Sequence, residues 1–124
     1  MPGGVMEMAN TILLIESKQC DREILPILLK RVGFQTIVAE NLNEAYILLG
    51  RSNPPDVDMI FLSSETVDKD YLNFMIWAKK YHPKVKIVVA SCRPMDQKAC
   101  EEFEALFIQK PITDIRILGQ MLKI

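Results

Sequence analysis

The 124-residue chain lacks several features that mark particular classes of protein. Its three cysteines, Cys20, Cys92 and Cys100, do not have metal-ligand spacing, and their small number fits a reducing cytoplasm. Lys plus Arg number 15 against 16 Asp plus Glu, so no excess of charge favours nucleic acid or an anionic membrane as partner. No apolar run approaches the roughly 20 residues that span a bilayer. We therefore expect a single cytoplasmic domain with neither a nucleic-acid nor a membrane partner.

Motifs of nucleotide-binding and hydrolytic proteins are also absent. Glu-Ser-Lys-Gln-Cys follows the first apolar run, where a glycine-rich phosphate loop would stand, and no Gly-x-Ser-x-Gly elbow occurs. The sole histidine, His82, ends a predicted helix that returns the chain to the amino-terminal edge of the sheet. It therefore cannot act as the base for a serine at the opposite edge. We expect no enzymatic activity.

The chain does contain five short apolar runs, each followed by a stretch with helical spacing of its apolar residues. This strict alternation with short connections predicts a parallel sheet with helices on both faces. Pro26 lies inside the first predicted helix and is expected to kink it or to lie near its first turns. Residues 1–9 are expected to form a flexible lead-in to a domain spanning 10–124. The predicted strands are 11–15, 34–39, 59–62, 87–90 and 106–108, and the predicted helices are 19–32, 41–49, 71–81, 95–105 and one starting near 114.

Polar residues follow four of these apolar runs at the point where each predicted strand ends. Because the carboxyl ends of parallel strands meet at one edge of a sheet, this edge is where an α/β fold places its site. A glutamate, three serines and a lysine would meet there. This set of side chains is typical of a phospho-acceptor pocket from which most carboxylates have been removed. The residues are Glu16, Ser17, Ser63, Ser91 and Lys110.

From about residue 10 to residue 124 the chain resembles the receiver domain of bacterial response regulators. The resemblance implies a flavodoxin-like (βα)5 three-layer sandwich with strand order 2-1-3-4-5. It also implies a role in two-component, phosphorelay signal transduction. The motifs that carry it are the apolar strand ending in Glu16, Gly33-Phe34, Ala39-x-Asn41-x-x-Glu44-Ala45, Val88-Val89-Ala90-Ser91 and Phe107-x-x-Lys110-Pro111.

Four residues match functional positions of that family. Glu16 matches the first of two adjacent acids that hold Mg²⁺ in a working receiver. Ser91 matches the serine or threonine that contacts the phosphoryl group, and Lys110 matches the invariant lysine. Phe107 matches the aromatic residue whose rotamer changes on phosphorylation, so the resemblance implies that it is the switch aromatic.

Other positions depart from the family pattern. Ser17 replaces the second acid, which is the usual direct metal ligand, and Ser63 replaces the acceptor aspartate. Val67 and Tyr71 replace the usual proline and glycine of the following loop. Since Mg²⁺ requires anionic oxygen ligands, losing two carboxylates moves the formal charge of the site from about −2 to about 0. A serine hydroxyl without an adjacent base is also a poor nucleophile.

We therefore predict a degenerate receiver, or pseudo-receiver, that acts through protein–protein contacts without a cofactor or bound Mg²⁺. Its partners would be signalling proteins, an attached output domain or a second copy of the chain. Glu16 and Lys110 would form an ion pair in the pocket.

Two alternatives remain open. One is a phospho-acceptor receiver that uses a loop carboxylate from Glu65, Asp68 or Asp70, since Asp58 lies at the wrong end of its strand. The other is a flavodoxin-like module that binds a small anion.

The third predicted helix also has a candidate interaction face. Its expected core face comprises Tyr71, Phe74, Met75, Ala78 and Tyr81. Three apolar side chains fall on the opposite side or its flank, among Asn73, Lys79 and Lys80. We predict that they form a contact surface for a protein partner or a second copy. They are Leu72, Ile76 and Trp77.

Overall fold

Five strands and five helices alternate along the chain in a computed structural model that describes residues 10–64 and 70–123. The predicted lead-in, residues 1–9, lies outside the described residues. No helix in these described ranges has the length and apolar character needed to cross a bilayer. The strands β1–β5 are Asn10–Ile15, Phe34–Ala39, Met59–Ser63, Lys86–Ser91 and Leu106–Gln109. The helices α1–α5 are Gln19–Arg31, Leu42–Leu49, Tyr71–Tyr81, Pro94–Glu102 and Ile117–Met121.

The strands form one parallel sheet in the order β2-β1-β3-β4-β5, which confirms the predicted flavodoxin-like fold. Alternate residues of β1 enter two different cores. Leu13 packs in the cluster under α2, α3 and α4, whereas Leu14 packs in the cluster under α1 and α5. Because the sheet is covered on both faces, its inner strands are continuous apolar runs. Every residue of the central strand β3 is buried, including the polar Ser63 at its end.

Local sequence signals set the ends of α2 as predicted. The Asn41 side chain accepts a hydrogen bond from the backbone N–H of Glu44 at 2.8 Å. The Glu44 carboxylate in turn accepts from the backbone N–H of Glu40 at 2.6 Å, one residue before the cap. Gly50 follows the last helical residue. The Asn41 side chain satisfies a backbone donor that a helix start otherwise leaves without a partner, and the Glu44 side chain links the residue before the cap to the first turn.

The last two helices are shorter than predicted. The helix α4 ends at Glu102 instead of continuing to 105, because Glu104 has a left-handed backbone conformation with φ of 55°. The helix α5 begins at Ile117 instead of near 114. Asp114 precedes it in a turn, where its carboxylate forms a 2.8 Å ion pair with Arg116. Pro26 lies inside α1, as predicted.

The helix α3 spans the predicted residues, but one side chain was assigned to the wrong face. Tyr71, Phe74, Met75 and Ala78 are buried as expected. Tyr81 is 59% exposed, because it is the last helical residue and its ring lies beside that of Trp77 at a centroid distance of 5.7 Å.

The candidate interaction face of α3 is narrower than predicted. Trp77 is partly buried, and its ring lies 4.9 Å from that of Tyr46. Leu72 is also partly buried and packs against the same core cluster. Ile76, which is 49% exposed, is the one of the three predicted contact residues that is not mostly covered.

We expect removal of the α2 cap to lower stability. Asn41→Ala should lower the free energy of unfolding by about 1 kcal/mol, because the Glu44 N–H loses its partner. The matched control is Asn43→Ala, an exposed position in the first turn of the same helix. It should leave stability unchanged or slightly higher, since alanine is the better helix former. Urea unfolding checks both variants, and equal losses would contradict the capping role of Asn41.

The two faces of α3 predict opposite outcomes for neighbouring substitutions. Met75→Glu should prevent stable folding, because it places a carboxylate in the core without a partner. Ile76→Glu should change the free energy of unfolding by no more than about 0.5 kcal/mol. Thermal unfolding measures stability, and sedimentation velocity measures self-association. Unchanged self-association and partner capture in a folded Ile76→Glu variant would show that this face is not an interface.

Candidate functional site

The predicted pocket residues Ser63 and Lys110 come together at the carboxyl edge of the sheet. Ser63 ends the central strand β3 and is fully buried. Lys110 directly follows β5, and its backbone N–H donates to the carbonyl oxygen of Ser91 at 3.0 Å. This contact fixes the lysine backbone against the end of β4. Its Nζ donates a hydrogen bond to the Ser63 Oγ. An ammonium group thus contacts the buried hydroxyl that ends β3.

The loop between β1 and α1 is held by Arg22. Its guanidinium donates to the carbonyl oxygens of Glu16, at 3.2 Å, and Ser17, and lies 3.7 Å from the Glu40 carboxylate. The Glu16 side chain is buried at the edge, and its carboxylate accepts from the Lys18 N–H at 3.4 Å. Ser17 is exposed. The two residues that follow β1 therefore have different environments, one inside the pocket and one in solvent.

A cavity of about 490 Å³ opens beside these residues. Two carboxylates and two lysines contribute to its lining, so their formal charges cancel. Glu16 and Lys110 both line it, and their predicted ion pair stays a prediction. The lining residues are Glu16, Lys18, Asp21, Leu25, Phe61, Cys92, Lys110, Pro111 and Ile112.

The described residues do not fit the Mg²⁺ site that the receiver fold implies. Within these ranges, no group of three or more His, Cys, Asp or Glu side chains lies close enough to hold a metal ion. Ser17 and Ser63 offer neutral hydroxyls, and the Ser63 hydroxyl already receives the Lys110 ammonium. Because Mg²⁺ dehydrates reluctantly and needs anionic oxygens, two carboxylates, Glu16 and Asp21, in a cavity shared with two lysines are a poor ligand set.

The carboxylates considered as replacements for the missing acids lie in different parts of the chain. Glu65 and Asp68 lie outside the described residues. Asp70 is exposed at the start of α3. Asp58 lies at the opposite edge of the sheet, as predicted, where its carboxylate accepts from the Thr11 N–H at 2.8 Å. Asp58 therefore belongs to a different part of the surface.

Ser91 does not direct its hydroxyl proton toward Ser63. It is buried at the end of β4, and its Oγ donates to the Asp96 Oδ2 at 2.6 Å. The same Oγ accepts from the backbone N–H of Arg93 at 2.9 Å. Since a serine hydroxyl has one proton, its donor capacity is already used.

Asp96 is the central polar residue of this edge, and the sequence analysis missed it. It is 3% exposed and lies in the first turn of α4. Its carboxylate accepts from four side chains: the hydroxyls of Ser64, Tyr71 and Ser91 and the Nε of Arg93. The Ser64 and Arg93 contacts are 2.8 and 2.9 Å long. The donors come from the ends of β3 and β4 and from the starts of α3 and α4. We call these five residues the Asp96 cluster.

One sequence signal pointed toward Asp96. It is an acidic residue two positions after Pro94, which starts α4, and acidic residues favour the first helical turn. The same preference applies to carboxylates that lie in solvent, so it does not indicate that Asp96 is buried. The Asp96 side chain points inward because of the way α3 and α4 pack against the sheet, and a local sequence pattern does not specify that packing.

The contacts within the cluster shift the pKa values of Asp96 and Tyr71 in opposite directions. Burial alone would raise the pKa of Asp96, but hydrogen bonds from Ser91, Tyr71, Ser64 and Arg93 outweigh it and hold the pKa below its ordinary value. Burial and the hydrogen bond to Asp96 raise the pKa of Tyr71. Asp96 is therefore an anion and Tyr71 a neutral donor at neutral pH.

Phe107, the predicted switch aromatic, is partly buried on β5. Its side chain packs against the core cluster that lies under α2, α3 and α4. Its role as a switch stays a prediction.

No family model and no curated protein matches the sequence. Solved structures do match. The signal receiver domain of a signal transduction histidine kinase from Syntrophus aciditrophicus is 26% identical, with a TM-score of 0.73 over 93% of this chain and 88% of the other. HP1043, an orphan response regulator of H. pylori, is 24% identical, with a TM-score of 0.74 over 95% and 97% of the two chains. A response regulator from Thermotoga maritima is 23% identical, with a TM-score of 0.75 over 93% and 96%. The chain has the fold of response-regulator receiver domains.

The Asp96 carboxylate should make stability depend on pH at the acid end. Because its folded pKa is depressed, its contribution is complete above the unfolded pKa of about 3.9 and is lost as the pH falls through the folded pKa. At about pH 7 the wild type should be about 2–4 kcal/mol more stable than Asp96→Asn. This difference should shrink as the pH falls below about 4.

Urea unfolding between about pH 3 and pH 7 measures the difference. The control is Asp114→Asn, which removes an exposed carboxylate that is also paired with an arginine. Its effect should be small at every pH, since solvent screens that pair. A difference between wild type and Asp96→Asn that stays constant down to about pH 3 would contradict the assignment.

Proposed function

We propose that this protein is a receiver-like signalling module that acts through protein–protein contacts, without Mg²⁺-dependent aspartyl phosphorylation. One observation carries the proposal. The buried hydroxyl of Ser63, which by resemblance replaces the acceptor aspartate of a receiver, accepts a hydrogen bond from the Lys110 ammonium. Phosphoryl transfer at this position would require an activated nucleophile and a cation to neutralise the phosphate charge. Lys110 supplies one positive charge, but its ammonium donates to the Ser63 hydroxyl and cannot accept the hydroxyl proton as a base would.

The environment of Ser91 supports the same conclusion. By resemblance this hydroxyl would contact a phosphoryl group, but its proton is already donated to the Asp96 carboxylate. A phosphoryl group on Ser63 would have to compete with a buried anion for that proton. Both acceptors would be anionic, so the phosphoryl group would have to break a charge-assisted hydrogen bond that is already formed.

We propose a signalling protein, an attached output domain or a second copy as the partner, in the cytoplasm, and no enzymatic activity. The contact surface would include Ile76, which is half exposed on α3. The alternative of small-anion binding is weaker, because the carboxylates and lysines lining the cavity cancel in charge.

Phosphodonor treatment tests the proposal directly. The full chain, incubated with acetyl phosphate and Mg²⁺, should gain no phosphoryl group by intact mass spectrometry. The Ser17→Asp and Ser63→Asp double variant should respond to Mg²⁺, because its two new carboxylates with Glu16 restore the oxygens that the ion prefers. Its melting temperature without metal should fall, since three like charges repel, and millimolar Mg²⁺ should recover part of the loss.

The two single variants are the controls. Each adds one carboxylate to Glu16 beside Lys110 and should respond to Mg²⁺ hardly more than the wild type. A stoichiometric, Mg²⁺-dependent phosphoryl gain in the wild type would overturn the proposed function. A double variant with no larger Mg²⁺ response than the wild type would show that these serines do not occupy the positions of the missing acids.

A further inference from the structure

The Asp96 cluster joins two connections that end on neighbouring strands. Ser64 follows β3 and Ser91 ends β4, and both hydroxyls donate to the same carboxylate oxygen, at 2.8 and 2.6 Å. Arg93 adds a second link, because its Nη2 donates to the carbonyl oxygen of Ser64 at 3.2 Å while its Nε contacts Asp96. Tyr71 brings in the first turn of α3 through the other carboxylate oxygen. One anion thus holds two loops and two helix starts.

We propose that Asp96 is an internal latch that holds the β4–α4 connection in a single conformation. The proposal rests on the proposed function and deepens it, because it describes how the site is regulated. By resemblance, a phosphoryl group attracts the hydroxyl at position 91 and thereby moves this connection. Here a permanent anion in α4 already takes that hydroxyl, so phosphoryl chemistry is not needed to set its position.

The geometry of the cluster explains why one conformation is favoured. Asp96 is a buried ion, and burying an ion is costly unless hydrogen bonds replace its hydration. Any movement of the connection that breaks the Ser91 or Arg93 contact would leave a carboxylate oxygen with fewer donors. Because such a loss is costly in a low-dielectric site, any conformation of the β4–α4 connection that breaks these contacts is strongly disfavoured.

The latch also determines which surface α4 presents. Asp96 points inward from the first turn of α4, whereas its neighbour Met95 is 71% exposed. The inward contacts fix the rotation of this turn about the helix axis. The exposed side of α4 is therefore presented in one orientation for as long as the cluster is intact.

Amide hydrogen exchange and NMR relaxation dispersion on ¹⁵N-labelled full chain test the latch. In Asp96→Asn, the amides of residues 64, 71, 91–93, 95 and 96 should exchange at least about tenfold faster than expected from the change in global stability. The same amides should show microsecond-to-millisecond conformational exchange that the wild type lacks. Asp114→Asn is the control, since it removes a carboxylate–arginine contact on the surface. It should leave these amides unchanged.

A second variant keeps the test valid if Asp96→Asn folds poorly. Tyr71→Phe removes one donor and retains the buried ring, so it should produce the same localised effect at smaller amplitude. Acceleration that is uniform over the sheet in both variants, without dispersion at residues 91–93, 95 and 96, would overturn the latch, because Asp96 would then contribute to global stability alone.

Phosphodonor treatment of the same samples separates the two proposals. A phosphoryl gain in the wild type, combined with localised exchange in Asp96→Asn, would overturn the proposed function and support the latch as a local device. Absence of phosphorylation together with uniform exchange would overturn the latch and support the proposed function.

Discussion

Burial of the central strand β3 on both faces is the constraint that shapes the rest of the molecule. The strand has no exposed residue, so its polar end lies inside the protein and not on its surface. Ser63 and the adjacent Ser64 must find hydrogen-bond partners there, because an unsatisfied buried hydroxyl is costly. The partners come from other elements at the same edge of the sheet: Lys110 contacts Ser63, and Asp96 contacts Ser64.

These two serines therefore lead to two polar environments of different character. Ser63 lies beside a cavity lined by two lysines and two carboxylates. Their formal charges cancel, so the net charge of the lining favours neither a divalent cation nor an anion. The Ser64 side is closed around the Asp96 carboxylate, whose negative charge is compensated by three hydroxyls and one guanidinium. The same edge thus combines a near-neutral pocket with a fully hydrogen-bonded anion. This division links the proposed loss of phosphoryl chemistry to the proposed fixed conformation of α4.

Much of the fold could be predicted, because its signals are local or follow from alternation. Continuous apolar runs indicated strands covered on both faces, and Asn41 with Glu44 indicated the start of α2. The predictions were wrong where tertiary or local contacts override the spacing of apolar residues. Tyr81 has the helical spacing of a core residue, yet it is exposed where α3 ends. Helix α5 begins late because Asp114 and Arg116 form a local turn instead.

The sequence by itself determined the strand–helix alternation, the approximate bounds of most elements and the polar residues that end the strands. Because parallel strands share a carboxyl edge, it also determined that Ser63, Ser91 and Lys110 would lie near one another. Only the tertiary structure decided how the hydroxyls at that edge are used. Asp96 lies 32 residues from Ser64 and 25 from Tyr71 along the chain. No local pattern specifies that their side chains meet; the packing of α3 and α4 against the sheet brings them together around one buried charge.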